Sequence, residues 1–134
     1  MFNTIVVGTD GSDRATKAIA HALMLAAAYQ ATLHVVHAYK GTRDTVQEAA
    51  LTVAAEIAGT LDSTGVTVRT HALQGDPVDV ILDFAYDAGA DLIVVGNRGM
   101  TGRRGRFGSI PNSISHDASC AVLIVPTDEE AQGA

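Results

Sequence analysis

Asp91-Leu-Ile-Val-Val95 and the segment after it, Gly96-Asn-Arg-Gly-Met-Thr-Gly-Arg-Arg-Gly-Arg-Phe-Gly-Ser-Ile-Pro111, decide the fold. The apolar run reads as a buried strand. The glycine-rich stretch reads as a loop, and a short helix opens near Ser109. A strand, a glycine loop and a helix start in that order form a phosphate cradle. Glycine lets the backbone approach an anion, and a helix N-terminus presents unpaired N–H groups and positive partial charge. Arg98, Arg103, Arg104 and Arg106 put four cations in this loop, in a chain with only nine Lys and Arg. The competing reading is a solvated loop kept soluble by its arginines.

The rest of the composition narrows the class. With 134 residues, 47% hydrophobic and 18% charged, the chain is expected to be one folded domain. Aromatics make up 4%, so the core must be built from Val, Ile, Leu and Ala. A net charge of −6 argues against general nucleic-acid binding and sets the arginine loop against an acidic background. The single cysteine, Cys120, excludes an internal disulfide and reads as a buried structural thiol. No apolar run reaches the ~18 residues of a membrane span, and the N-terminus lacks signal-peptide character, so a cytoplasmic location is expected.

Outward from Asp91, five segments read as buried strands: Thr4–Val7, Thr32–Ala38, Val66–Leu73, Leu92–Val95 and Val122–Val125. Continuous rather than alternating apolar runs suit a parallel sheet covered on both faces. Helical stretches lie between them. Ser12–Ala28 is alanine-rich, with Ser12 or Asp13 as its cap, and Asp44–Leu61 puts Val46, Ala50, Ile57 and Leu61 on one face. Asp76-Pro77 opens a third helix that buries Val80, Ile81, Phe84 and Ala85 and closes at Gly89. A fourth runs from about Ser109 to Ala118. The alternation predicts a doubly wound, Rossmann-like α/β domain over residues 1–127, with an acidic, frayed tail at 128–134.

The first strand ends in Val7-Gly-Thr-Asp-Gly-Ser12. Ligands of doubly wound sheets sit beyond the carboxyl ends of the strands, where strand order reverses. Asp10 would hold a Mg²⁺ or bond a ligand hydroxyl there, or else cap the first helix; this segment alone leaves both readings open.

In the order and spacing of its motifs the chain resembles the universal stress protein family over nearly its whole length. The resemblance rests on Val-Gly-Thr-Asp-Gly-Ser, on His-Ala after strand two, on Gly75-Asp-Pro, and on Val-Val-Gly-Asn-Arg-Gly-Met-Thr-Gly. Gly-Ser-Ile-Pro-Asn-Ser-Ile-Ser-His and a final Val-Leu-Ile-Val-Pro complete it. It implies strand order 3-2-1-4-5, with a homodimer paired through Val122, Leu123, Ile124 and Val125. It also implies an adenine nucleotide, ATP foremost and possibly with Mg²⁺ through Asp10. The residues that fall on the family's nucleotide-binding positions are Gly8, Thr9, Asp10, Ala38, Val95, Gly96, Arg98, Gly99, Gly108, Ser109 and Ile110. The resemblance thus implies a regulatory role rather than efficient catalysis, with slow ATP hydrolysis as a side activity at most.

The chain departs from the family pattern twice. Eight residues, Met100 to Phe107, separate Gly99 from Gly108 where the family has nine. One residue spans up to about 3.5 Å, enough to move an amide out of reach of a phosphate. Pro111 stands where nucleotide-binding relatives often carry Ser or Thr, removing a hydroxyl and a backbone donor. These departures support a second reading, a stress-related interaction protein with an inactive phosphate loop. A third is a preference for a cyclic or monophosphate nucleotide, which needs fewer phosphate contacts.

Other chemistry finds little support. His34 and His37 face opposite sides of a strand, and neither has a second ligand at metal spacing. His116 reads as a partner of its helix dipole. Ser109, Ser113 and Ser115 lack a triad signature. The phosphoacceptor aspartate and the late lysine of a response-regulator receiver are missing.

Overall fold

The computed structural model describes residues 2–9, 15–39, 65–97 and 109–126. Its elements are β1 (Thr4–Thr9), α1 (Ala15–Tyr29), β2 (Thr32–Tyr39), β3 (Val68–Gln74), α2 (Pro77–Ala88), β4 (Leu92–Gly96), α3 (Ser109–Asp117) and β5 (Ala121–Val125). All pairings are parallel and the strand order is β3-β2-β1-β4-β5. The expected Asp44–Leu61 helix, the caps Ser12 and Asp13, and the 128–134 tail lie outside the described residues.

Consecutive residues of the central strands enter opposite cores, which is why their sequences are apolar without a break. Ile5 and Val7 of β1 pack with Leu33, Val35, Leu92 and Val94 beneath α1. Val6 packs with Val36, Ile93 and Val95 beneath α2 and α3. Chain direction explains the division: right-handed crossovers running outward from β1 place α1 on one face, and the jump from β3 back to β4 places α2 on the other.

The strand expectation needs a correction at both sheet edges. β3 holds no fully buried residue, and Arg69, Thr70, Leu73 and Gln74 are exposed. In β5 only Val125 is fully buried. Each edge strand has one neighbour in the sheet and so receives less cover. Element ends also shift. β1 runs on to Thr9 because Gly8 and Thr9 keep their pairing with Val36 and His37, and β3 starts at Val68.

α2 follows its sequence signals closely. The Asp76 carboxylate accepts from the N–H groups of Val78 and Asp79 at 3.1 and 3.4 Å, with Pro77 in the first turn. Gly89 closes the helix in the left-handed region (φ 68°), its N–H donating to the Ala85 and Tyr86 carbonyls. Ile81 and Ala85 are buried, and Val80 and Phe84 pack half-buried against the same core.

At the amino end of the sheet, the Asp91 carboxylate accepts from the N–H groups of Asn3 and Thr4 at 2.7 and 3.0 Å. These two bonds hold its pKa below the usual carboxylate range. They moor the start of β1 to the start of β4.

Candidate functional site

The site is built where strand order reverses. β1 lies between β2 and β4, so β2 leaves on one side and β4 on the other. Pairing of β1 with β4 covers only Ile5↔Leu92, Val6↔Ile93 and Val7↔Val94. Pairing of β1 with β2 continues to Thr9↔His37, and that of β4 with β5 to Gly96↔Val125. The sheet therefore parts between β1 and β4 at its carboxyl edge, leaving Gly8-Thr9 and Val95-Gly96 on its two lips.

Four further features frame this opening. Gly8 and Val95 are buried, and Thr9 is 1% exposed. The N–H of Asn97 donates to the Val125 carbonyl at 2.9 Å, so the chain leaving Gly96 is anchored to β5 before the glycine loop begins. Ile110 and Ile114 are buried beside Val95 and Ile93, which fixes the start of α3 under the same lip. Ala38, half-buried near the end of β2, sits one residue beyond the His37 that pairs with Thr9.

The structure thus gathers Gly8, Thr9, Ala38, Val95, Gly96, Ser109 and Ile110 at one end of the sheet. Asp10, Arg98, Gly99 and Gly108 lie outside the described residues, as do Arg103, Arg104 and Arg106. Pro111 is buried in the first turn of α3, a position where its fixed φ is welcome and its missing N–H removes one donor.

Some features were not legible in the sequence. Lys17, in the first turn of α1, has its ammonium nitrogen enclosed and, among the described residues, without a hydrogen-bond partner. Nothing in the spacing of Lys17 signals this. His34 meets a second histidine that spacing in the sequence does not reveal: its Nδ1 lies 3.0 Å from Nε2 of His71 on the neighbouring strand. Strand pairing, not sequence spacing, supplies that partner. Among the described residues no three His, Cys, Asp or Glu side chains gather as a metal site, and no helix is long and apolar enough to cross a membrane. Cys120, expected to be buried, is only half-buried. It lines a cavity of about 220 Å³ with Leu82, Ala85, Tyr86 and Ile93, near the amino end of β5, and burial pushes its thiol pKa up.

This fold, with its sheet of order β3-β2-β1-β4-β5, is shared with known proteins. Residues 1–126 match the universal stress protein family. The chain belongs to this family. A universal stress protein of Thermus aquaticus is 39% identical, the alignment covering 93% of this chain and 99% of the relative. A crystal structure of a universal stress protein in complex with cAMP superposes with a TM-score of 0.80 at 31% identity, covering 95% of this chain and 99% of that one. The universal stress protein of Archaeoglobus fulgidus in complex with dAMP gives 0.75 at 28% identity, covering 92% and 97%.

Proposed function

We propose that this universal stress protein is a regulatory protein that binds an adenine nucleotide at the parted carboxyl edge between β1 and β4. The observation that carries the reading is the early end of the β1–β4 pairing, with a glycine on each lip and the start of α3 beside them. In this reading Gly8, Thr9 and Ala38 receive the nucleoside, with Val95 and Gly96 as the facing wall. Arg98, Gly99, Gly108, Ser109 and Ile110 bind the phosphates. Asp10 acts through a Mg²⁺ or on the ribose. The enclosed ammonium of Lys17, at the same end of the sheet, is a further partner for the anion, since a buried donor favours a partner that satisfies it.

ATP remains the first candidate. Two similar structures hold nucleotides with a single phosphate, and the loop here is one residue short, so a monophosphate or cyclic nucleotide is the second. The role is regulatory: occupancy changes the loop around residues 97–108, and a partner or the dimer senses that state. The protein acts in the cytoplasm as a homodimer paired through Val122–Val125. Ile124, 38% exposed on an edge strand, supports that pairing.

Calorimetric titration with ATP, AMP and cyclic AMP, each with and without Mg²⁺, tests the site. Saturable binding is expected, and the ranking shows how many phosphates the short loop holds. Gly99→Val should abolish binding while leaving the fold intact, because a β-branched side chain obstructs the cradle. Absence of heat and of any thermal shift with every nucleotide would overturn the proposal in favour of an interaction protein with an inactive loop.

A further inference from the structure

We propose that His34 and His71 form an acid-sensitive joint that fastens β3 and α2 to the rest of the sheet. His34 lies in the first half of β2, away from the carboxyl edge, and His71 lies on the adjoining edge strand. Nδ1 of His34 and Nε2 of His71 are 3.0 Å apart, and the rings stack at 5.2 Å with 30° between their planes. Phe84 of α2 closes over both, its ring centre 5.3 Å from His34 and 4.5 Å from His71. Three elements therefore meet at two imidazoles.

The chemistry of this contact depends on its proton count. When both rings are neutral, one N–H lies between the two nitrogens, one ring donating and the other accepting. A first added proton keeps that bond but places a cation in a half-buried site. A second leaves two N–H donors facing each other across 3.0 Å, which no rotation of a stacked pair relieves. The surroundings oppose both steps. Arg69 of β3 adds positive charge beside both rings. α2 contributes the uncharged Phe84, while its carboxylates Asp79, Asp83 and Asp87 are exposed and exert no resolved pull on the pair. His37 of β2 faces the α1 side, by alternation with Val36. Burial first, then neighbouring positive charge, holds both histidines below the usual range near 6.5.

The sign follows from linkage. With folded pKa values below the unfolded ones, the joint gives its full stability above about pH 6.5, and that stability is lost as pH falls toward the folded values. The two protons titrate as a coupled pair. Loosening should reach the end of β2, because α2 is joined to it through Gly75, whose N–H donates to the Tyr39 carbonyl at 2.8 Å.

Hydrogen exchange of the nucleotide-free protein, corrected for intrinsic rates and followed from pH 7.5 to 5, tests the joint. Amides of β3 and α2 should lose protection as the pair takes up protons, while those of α1 should not. His71→Gln and His34→Gln should each flatten that pH dependence, whereas changing the exposed His21 and His116 to Gln should leave it. Equal loss of protection in α1 and β3, or an unchanged profile in both pair variants, would overturn the proposal. If the variants do not fold, histidine titrations of the wild-type protein by NMR decide: two independent transitions near 6.5 would overturn it, and two coupled transitions below 6.5 would support it.

Discussion

The two faces of the sheet are packed on different principles. Beneath α1, Ala18, Ala22 and Ala26 form a stripe along one helix face, each 0% exposed, with Ile19 and Leu23 beside them. Small side chains bring the helix close to the β-branched residues of β1 and β2. Beneath α2 and α3 the surface is more varied. It holds Ile81 and Ile114 in the core, the His34–His71–Phe84 cluster toward β3, and the 220 Å³ cavity beside Ala85 and Cys120. Among the described residues, one face presents an unbroken alanine stripe to the sheet, whereas the other carries the cavity and the histidine pair. The first is suited to hold the sheet rigid, the second to respond to conditions.

One substitution made on both faces tests that contrast most severely. Ala22→Leu forces extra methylenes into a filled interface and should cost about 1–3 kcal/mol. Ala85→Leu, equally buried but beside the cavity, should cost under about 1 kcal/mol, because the added volume has somewhere to go. Urea denaturation gives both values. Equal losses would show that the cavity does not relax the second face.

A smaller effect concerns the titratable part of the second face. Phe84→Leu removes much of the ring that covers the histidine pair and should cost about 1 kcal/mol at pH 7.5. Burial is the larger cause of the lowered histidine pKa values, so uncovering the pair should raise them toward the unfolded value. The stability lost between pH 7 and 5 should therefore shrink in this variant. A thermal unfolding series across that range checks the sign. A steeper acid loss than in the wild type would mean that Phe84 does not exclude water from the pair.

The contrast also marks what could be read from the sequence. The unbroken runs Ile5-Val-Val7 and Leu92–Val95 announced strands buried on both faces, and Asp76-Pro77 with Gly89 announced the ends of α2. The ends of β1 at Gly8-Thr9 and of β4 at Gly96 were legible as the two sides of the point where strand order reverses. The exposure of β3 was missed although Arg69, Thr70, His71 and Gln74 already set it apart from the central strands, and its place at the sheet edge explains it. The histidine pair was hidden for a different reason. His34 and His71 are 37 residues apart and meet only through a β2–β3 register that sets His34 against Arg69 and Val36 against His71. Once that register is known, alternation puts all four on one face.

The smallest expected effect lies at the helix ends, where the same conformational demand is met by different residues on the two faces. α2 ends on Gly89 at φ 68°, and α1 is followed by Gln30 at φ 57°. A side chain in the left-handed region costs about 1–2 kcal/mol, partly offset by glycine's greater entropy in the unfolded chain, about 0.5–1 kcal/mol. Gln30→Gly should therefore stabilise the protein by about 0.5 kcal/mol, and Gly89→Ala should destabilise it by roughly the same amount or more. Gln30 is followed at once by Ala31, whose N–H donates to the Ala26 carbonyl at 2.9 Å. That bond holds the turn in place whichever residue occupies position 30. A Gln30→Gly variant no more stable than the wild type would mean that its side chain makes good the backbone cost, and the α1 face would then depend on more than its alanines.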